Sequence, residues 1–255
     1  MEKGLFTIIE NVALTPSTWR MRLAGDTSSI TAAGQFINIR LDGHFLRRPI
    51  SVNDVQYGTD GGQGVVTIIY KVLGKGTEEM TFMKPGKRLD VLTGLGNGYD
   101  LDQAGDMPLL IGGGVGIPPL YLAAKRLVAA GKKVTVILGF NSAEEVYYTD
   151  EFRNLGCEVI VTTADGSHGI RGFVTDGFRT LSHSFTQFLT CGPEPMLKAV
   201  YQTVYKEAGI PGQMSFEERM GCGFGACMGC SCKTVTGYKR ICKDGPVLRT
   251  EEILW

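Results

Sequence analysis

The sequence predicts a chain of class α/β plus β. Its parts, in order, are an antiparallel β-barrel, a doubly wound parallel sheet and a small C-terminal segment organised by cysteines. Three observations predict this order: apolar residues alternate with a period of two over residues 5–91, strand-like and helix-like segments alternate from residue 108, and four closely spaced cysteines lie near the C-terminus. At 255 residues the chain can hold two domains and an appendage. We expect the three parts to span residues 1–101, 102–215 and 216–255.

The barrel is predicted from short alternating segments separated by turns. These segments are Phe6–Val12, Trp19–Leu23, Gln35–Leu41, Val65–Val72 and Arg88–Leu92. A period of two, with Gly, Asp and Asn between the segments, is typical of antiparallel strands, and about six of them would close a barrel. Residues 57–64 are predicted to form a hairpin loop, and within this half only Thr77–Met83 has a helical pattern.

The middle of the chain predicts parallel strands joined by helices. Strands are predicted at Pro108–Gly112, Val134–Gly139, Cys157–Thr162 and Phe185–Cys191, and helices at Leu120–Ala130, Ala143–Leu155, Gly172–Leu181 and Glu194–Ala208. Alternation of strand and helix implies right-handed crossovers and a doubly wound sheet. Ligands of such sheets bind at the carboxyl ends of the strands, where glycine-rich turns lie in this sequence.

Four of the seven cysteines have the spacing C-x4-C-x2-C-x11-C; they are Cys222, Cys227, Cys230 and Cys242. The plant-type [2Fe–2S] pattern is C-x4-C-x2-C followed by a distant fourth cysteine, and the glycines between these cysteines let the backbone fold tightly round the sulfur atoms. Zinc, a disulfide cluster and plain buried thiols are the alternatives. Structural zinc usually has two C-x2-C pairs or a Cys/His mixture, so zinc is the weaker hypothesis. The other cysteines, Cys157, Cys191 and Cys232, are predicted to be structural.

Two motifs of the predicted barrel suit phosphate groups. In Arg47-Arg48-Pro49-Ile50-Ser51 a guanidinium group could bind phosphate oxygens bidentately, and the serine could add a hydrogen bond. In Gly74-Lys75-Gly76-Thr77 a helix start offers free N–H groups to a phosphate. The simpler interpretations are a surface arginine pair beside a turn, and a strand-to-helix turn with Thr77 as the N-cap.

Two further loops suit a nucleotide. Gly112, Gly113, Gly114 and Gly116 lie between a predicted strand and a helix that begins with prolines. Ile117 replaces the third glycine of G-x-G-x-x-G, so this is not a Rossmann fingerprint, but the loop still admits a pyrophosphate closely. Cys191, Gly192 and Pro193 repeat the strand–turn–helix arrangement at a later strand, where an ordinary proline-initiated helix is the alternative.

The motifs Arg-Pro-x-Ser, Gly-x-Gly-Thr, Gly-Gly-Gly-Val-Gly-x-x-Pro and Cys-Gly-Pro-x-x-Met, in this order, resemble those of the ferredoxin–NADP reductase superfamily over essentially the whole chain. The C-terminal cysteines narrow the resemblance to the electron-transfer subunits of dihydroorotate dehydrogenase B. The superfamily typically has Arg-x-Tyr-Ser, with the tyrosine against the flavin ring. Ile50 stands in the place of that tyrosine, and Arg-Arg-Pro-Ile-Ser is similar to the dihydroorotate dehydrogenase branch.

The resemblance implies three cofactors: FAD, a [2Fe–2S] cluster and NAD. It implies FAD contacts at Arg48, Pro49, Ile50, Ser51, Ile69, Tyr70, Lys71, Gly76 and Thr77. It implies NAD contacts at Gly112, Gly113, Gly114, Gly116, Cys191, Gly192 and Pro193, and cluster ligation by Cys222, Cys227, Cys230 and Cys242.

The implied role is to pass electrons from dihydroorotate, oxidised at FMN in a separate catalytic subunit, through the cluster and FAD to NAD+ in pyrimidine (UMP) biosynthesis. The partnership would be a heterotetramer with two copies of each chain, and no catalytic acid–base residue is needed on this chain. Alternatives are a sibling electron-transfer subunit of a ferredoxin:NADP or sulfide oxidoreductase, and a non-catalytic redox sensor. The flavin and nucleotide loops argue against a sensor.

The balanced charge of the chain does not indicate binding to a polyanion. Lys plus Arg equals Asp plus Glu at 26 each, which does not indicate a nucleic acid or an anionic membrane. The apolar runs are too short for a membrane span. Met1-Glu-Lys-Gly leads into a strand-like segment without an apolar signal-peptide core, so we expect a cytoplasmic protein.

Two smaller expectations concern nucleotide choice and docking. NAD is expected over NADP because Glu144 and Glu145, and no arginine cluster, follow the second strand of the α/β half. Phe224 and Met228 of the cysteine loop are expected to contact the partner, since burying such a side chain contributes about 1.5–3 kcal/mol. The alternative is that they pack inward against this chain's own flavin domain.

Overall fold

A closed antiparallel barrel forms the N-terminal part of the computed structural model, which describes residues 1–59 and 63–255. Its strands are β1 (Glu2–Ala13), β2 (Thr18–Gly25), β3 (Phe36–Ile39), β4 (Arg48–Gln56), β5 (Gly64–Lys71) and β6 (Arg88–Leu95). The order around the barrel is β1-β2-β5-β4-β3-β6. Alternate residues such as Phe6 and Ile8 are buried inside, as the period-two pattern predicts. The expected barrel is confirmed; of the hairpin loop expected at 57–64, residues 60–62 lie outside the described residues.

One strand of the barrel was hidden from sequence reasoning. The simpler interpretation placed the arginine pair of Arg47–Ser51 beside a turn, but β4 begins at Arg48 and pairs with β3 through Pro49, which lies opposite Asn38. Proline has no backbone N–H to donate. It is tolerated at position 49 because β4 pairs with β5 only from Val52 onward, so no hydrogen bond to β5 is lost there. The helix of this half, α1, spans Lys75–Thr81.

The second half is a seven-stranded sheet in the order β10-β9-β8-β7-β11-β12-β15. Its strands are β7 (Pro108–Gly113), β8 (Thr135–Phe140), β9 (Glu158–Thr163), β10 (Ile170–Arg171), β11 (Gln187–Cys191), β12 (Gly212–Ser215) and β15 (Val247–Arg249). Every neighbouring pair is parallel except β12 with β15. The doubly wound sheet predicted from strand–helix alternation is confirmed, with three strands, β10, β12 and β15, that the pattern did not show.

The helices of this half are α2 (Pro118–Ala129), α3 (Thr149–Leu155), α4 (Val174–Arg179) and α5 (Glu194–Val200), and α5 continues as a π-helical segment over Tyr201–Glu207. Helix α2 packs against β4 of the barrel as well as against its own sheet. The single helix expected over Ala143–Leu155 is wrong. A short 3-10 helix, Ala143–Glu145, is separated from α3 by Tyr148, whose φ of 63° lies in the left-handed region and ends any continuous helix.

The C-terminal segment joins the two halves. It contains a hairpin of β13 (Ser231–Thr234) and β14 (Gly237–Arg240), and its β15 extends the edge of the large sheet. Phe36 and Leu95 of the barrel share one buried apolar cluster with Cys230 and Cys242. The cysteine-rich segment is therefore packed against both halves rather than attached as a free appendage. Within the described residues, every helix falls short of the length and apolarity needed to cross a bilayer.

Candidate functional site

Backbone N–H groups point at the sulfur atoms of the cysteine loop. Cys222 Sγ accepts from the N–H groups of Phe224, Ala226 and Cys227, at 3.5, 3.2 and 3.4 Å. Cys227 Sγ accepts from the N–H groups of Cys222 and Gly229, at 3.4 and 3.5 Å. Such donors offset the negative charge of thiolate ligands, and this loop therefore fits an iron–sulfur cluster.

The four thiols lie in two pairs. The hydrogen bonds above join Cys222 to Cys227, and the N–H of Cys242 donates to Cys230 Sγ at 3.4 Å. Within residues 1–59 and 63–255, the structure contains no group of three or more Cys, His, Asp or Glu side chains placed to bind a single metal ion. Two pairs match a centre with two irons, each bound by two cysteines.

Protonation of these thiols differs between the pairs. Burial raises the pKa of Cys222, but the N–H groups that it accepts outweigh burial and lower that pKa to about 6. Burial, followed by the neighbouring Cys230, raises the pKa of Cys242 to about 12. Four thiolates in so small a volume would repel one another, and bound iron would supply the positive charge that lets all four ionise.

The backbone of this loop needs residues without a side chain at two points. Gly223 and Gly225 have φ of 79° and 90°, in the region that disfavours other residues. Phe224 and Met228, in contrast, point outward and are 41% and 53% exposed. The alternative of inward packing is therefore wrong for both side chains.

The structure separates the two arginines of the Arg47–Ser51 motif. Arg47 is bound to the barrel, because its Nη2 donates to Asp90 Oδ1 at 2.8 Å. Arg48 instead lies over the start of α1. A Cβ placed on Gly76 would be 2.5 Å from Arg48 Nη2 and 2.7 Å from its Cζ, so only glycine admits the guanidinium there. The two motifs that suit phosphate groups, Arg47–Ser51 and Gly74–Thr77, therefore lie next to each other in the structure.

The start of α1 differs in detail from the simpler interpretation. Its N-cap is Gly74, not Thr77. Thr77 reaches back, and its Oγ1 accepts from the N–H groups of Leu73 and Gly74 at 2.9 and 3.2 Å. The first intrahelical bond runs from Glu78 N to Gly74 O, so the N–H groups of residues 75–77 lie ahead of it and face the same end as Arg48.

The remaining residues expected at FAD lie on either side of an opening between two strands. Pairing of β4 with β5 runs from Gln56–Val65 to Val52–Ile68 and stops there. Residues 48–51 of β4 and 69–71 of β5 continue beyond the last pair at the same end. The side chain of Tyr70 is 1% exposed and donates to Asn11 Oδ1 at 3.1 Å, so only its backbone remains to contact a flavin.

Lys71 reaches across to the sheet half. Its Nζ lies 3.2 Å from Glu145 Oε1, and Glu145 Oε2 accepts from Asn141 Nδ2 at 2.8 Å. Burial opposes ionisation, but these hydrogen bonds lower the pKa of Glu145. Of the two acidic residues expected near a nucleotide ribose, Glu145 is thus engaged with the barrel, whereas Glu144 is exposed.

The two loops expected at NAD also meet. Gly112 and Cys191 are register partners of neighbouring parallel strands. A Cβ on Gly116 would collide with the carbonyl group of Cys191 and lie 2.5 Å from Gly192 N. Tyr147, which sequence reasoning missed, supports this loop because its hydroxyl donates to Gly114 O at 2.8 Å. Both glycine loops therefore lie at the carboxyl edge of the sheet, where such sheets bind ligands.

Asn38 joins the cysteine loop to the barrel. A Cβ on Gly223 would collide with Asn38 Nδ2 and lie 3.3 Å from Asn38 Cγ. Asn38 Oδ1 is buried and has no hydrogen-bond partner among the described residues. Because Asn38 lies opposite Pro49, the cysteine loop contacts β3, the strand that pairs with the Arg48–Ser51 motif of β4. The sequence does not indicate this role of Asn38, because the residue belongs to none of the recognised motifs.

Comparison with known proteins gives consistent results. The model of the iron–sulfur cluster binding domain of dihydroorotate dehydrogenase B matches residues 217–254, and that of the oxidoreductase NAD-binding domain matches residues 110–202. The electron transfer subunit of dihydroorotate dehydrogenase B (NAD(+)) from Fusobacterium nucleatum is 44% identical over 97% of this chain and 96% of its own length. The subunit of the same name from Bacillus velezensis is 41% identical over 99% of both chains.

Solved structures share the fold. One described as an NADH-dependent reduced ferredoxin–NADP oxidoreductase is 32% identical, with a TM-score of 0.88 over 99% of this chain and 90% of that chain. A ferredoxin reductase in carbazole 1,9a-dioxygenase is 20% identical, with a TM-score of 0.71 over 82% of this chain and 66% of that chain, and this similarity concerns the fold alone.

The barrel, the glycine loops of the sheet and the paired cysteines define an iron–sulfur flavoprotein oxidoreductase of the ferredoxin–NADP reductase type, with FAD, a [2Fe–2S] cluster and NAD as its cofactors. Within that class the particular group follows from the relatives. The chain belongs to the family of dihydroorotate dehydrogenase B (NAD+) electron-transfer subunits.

Proposed function

We propose that this chain passes electrons from dihydroorotate, oxidised at FMN in a partner catalytic subunit, by way of its [2Fe–2S] cluster and its FAD to NAD+ in pyrimidine (UMP) biosynthesis. The contact between Gly223 and Asn38 carries the proposal, because it brings the cysteine loop against the barrel strand next to the Arg48–Ser51 motif. Adjacent antiparallel strands are about 4.8 Å apart, so the two cofactor sites are neighbours.

The residues of the chain bind, orient and separate the cofactors. FAD supplies the chemistry that links two-electron exchange with NAD to one-electron exchange with the cluster. Arg48 and the N–H groups at the start of α1 would hold its diphosphate, and residues 48–51 and 69–71 would flank its ring. Gly112, Gly113, Gly114, Gly116, Cys191, Gly192 and Pro193 would hold NAD.

Burial keeps Cys191 out of acid–base chemistry at this site. It raises the pKa of Cys191 to about 12, so the thiol stays neutral where NAD would bind. The proposal assigns no catalytic acid–base role to this chain: substrate chemistry would belong to the partner and electron transfer to this chain.

The organisation proposed for the chain is an FAD-binding part at 1–101, an NAD-binding part at 102–215 and a cluster-binding part at 216–255. We place it in the cytoplasm, in a heterotetramer with two copies of each subunit. The partner would dock at the cluster loop, where Cys227, Phe224 and Met228 are all exposed. Exposed apolar side chains of this kind are common at interfaces, and methionine suits adaptable surfaces.

The test is the activity of the isolated chain. It should oxidise NADH with an artificial electron acceptor and show no dihydroorotate turnover until the FMN-containing subunit is added. Phe224→Asp should weaken partner binding and coupled turnover without changing NADH oxidation. Phe173→Asp is the matched control, since Phe173 is also exposed but lies at the start of α4. Dihydroorotate turnover by the isolated chain, or equal partner binding by both variants, would overturn the proposal.

A second candidate is a sibling subunit of a ferredoxin:NADP oxidoreductase. It is favoured by one observation, the TM-score of 0.88 to the NADH-dependent reduced ferredoxin–NADP oxidoreductase. That structure is 32% identical, compared with 44% for the relative from Fusobacterium nucleatum. Reduction of the flavin by reduced ferredoxin, with no response to dihydroorotate and the FMN-containing subunit, would decide for the sibling.

A further inference from the structure

We propose that His44 is a positioning residue for FAD binding, because it fixes the guanidinium of Arg48 in the orientation that meets the flavin diphosphate. The inference rests on the proposed FAD site. His44 lies in the loop between β3 and β4, and its side chain is 17% exposed. It links the loop to β4 on one side and to α1 on the other.

Two hydrogen bonds define its role. Arg48 Nη2 donates to His44 Nδ1 at 2.8 Å, and His44 Nε2 donates to Glu79 Oε2 at 3.0 Å. A guanidinium has only donors, so Nδ1 must be the acceptor and the proton of the neutral ring must be on Nε2. Glu79 Oε2 accepts the hydrogen bond from Nε2–H and thereby holds the ring in the tautomer that Arg48 needs.

The guanidinium is then constrained on three sides. Nη1 donates to Leu46 O at 2.6 Å, Nη2 donates to His44, and the plane lies against Gly76. An arginine has five N–H donors, so three remain for phosphate oxygens. Without His44 the side chain would keep one of its two polar anchors, and more of its rotamer freedom would be lost on binding FAD.

The test measures the Kd of FAD for purified protein with its iron–sulfur cluster in place, by titration of flavin-depleted protein and quenching of flavin fluorescence. His44→Ala should raise the Kd about five- to tenfold at pH 8, less than the loss of a whole hydrogen bond to a charged group would, because Arg48 keeps its bond to Leu46 O. His44→Asn should stay within about twofold of the wild type, because its side-chain oxygen can replace Nδ1 as an acceptor. His183→Ala is the control, since His183 belongs to the sheet half.

Rescue by His44→Asn separates positioning from simple packing, because asparagine restores the acceptor for Arg48 but not the volume of the ring. In the Arg48→Ala background, His44→Ala should have no further effect. Visible absorbance of the cluster and the thermal unfolding midpoint check that each variant is folded.

The outcomes distinguish this inference from the FAD site itself. If Arg48→Ala leaves the Kd unchanged, the assignment of Arg48 to the diphosphate fails. If Arg48→Ala raises the Kd but His44→Ala does not, or if His44→Asn raises the Kd as much as His44→Ala does, the FAD site stands and the role of His44 is overturned.

Discussion

Gly76→Ala should release FAD although it removes no group that binds phosphate. The added Cβ would stand 2.5 Å from Arg48 Nη2 and 2.7 Å from its Cζ, closer than any real contact, and the flexible end of the arginine must move away. Gly76 lies inside α1, where alanine is favoured over glycine by about 0.5–1 kcal/mol, so the free energy of unfolding should not fall. The substitution therefore separates flavin affinity from stability.

The magnitude follows from the interaction that is displaced. A hydrogen bond to a charged group contributes about 1.5–3 kcal/mol, so loss of the guanidinium–phosphate contact should raise the Kd of FAD about 10- to 150-fold. The assay is titration of flavin-depleted protein with FAD, with the thermal unfolding midpoint measured in parallel.

Gly74→Ala is the matched control for this substitution. Gly74 has a φ of −176°, which any residue adopts, and no atom of the described residues lies within 4 Å of its Cβ position. Its Kd for FAD should equal that of the wild type. If Gly76→Ala also binds FAD with the wild-type Kd, the guanidinium of Arg48 does not hold the diphosphate from its position over Gly76.

Further outcomes are expected of the same protein. Cys227→Ser should abolish the iron signal and keep the flavin, whereas stoichiometric zinc without iron in anaerobically prepared protein would contradict the cluster. Denaturation should release FAD, and release of FMN would show that the two phosphate-suited motifs were misassigned. NADH should reduce the flavin much faster than NADPH, because Glu144 would repel a 2′-phosphate; comparable rates would refute this. Iodoacetamide at pH 8 should spare Cys157 and Cys191 until the protein is unfolded, because burial raises the pKa of each thiol, to about 11 and about 12, and the thiolate forms only as the pH approaches those values; rapid labelling of the native protein would be the contrary result.

Glycine substitutions would also report on the contact between the cluster loop and the barrel, but their effects are harder to separate. Gly223 combines a φ of 79° with close approach to Asn38, so an alanine there would strain the backbone and displace the barrel side chain together. This is why Gly76, where only the arginine stands in the way, gives the cleaner experiment.

The sequence by itself determined the fold class and the kind of cofactors. Period-two alternation in the barrel, strand–helix alternation in the sheet and the spacing of Cys222 to Cys242 are local properties of the chain, and each reflects the geometry of one element or one loop. The same is true of the glycine loops, because a glycine between a strand and a helix has the same use wherever the rest of the chain lies. The ends of strands and helices were harder to predict from the sequence, as the start of β4 at Arg48 shows.

Only the tertiary structure decided which of these residues act together. Arg47 and Arg48 are adjacent and chemically alike, yet one is bound to Asp90 and the other lies over Gly76. His44 and Asn38 carry no motif, and their roles arise from contacts with α1 and with the cysteine loop. Contacts between residues distant in sequence depend on how whole elements pack, and packing is set by the shapes of many side chains at once. That is why the proximity of the cofactor motifs, unlike the motifs themselves, could not be predicted from the sequence.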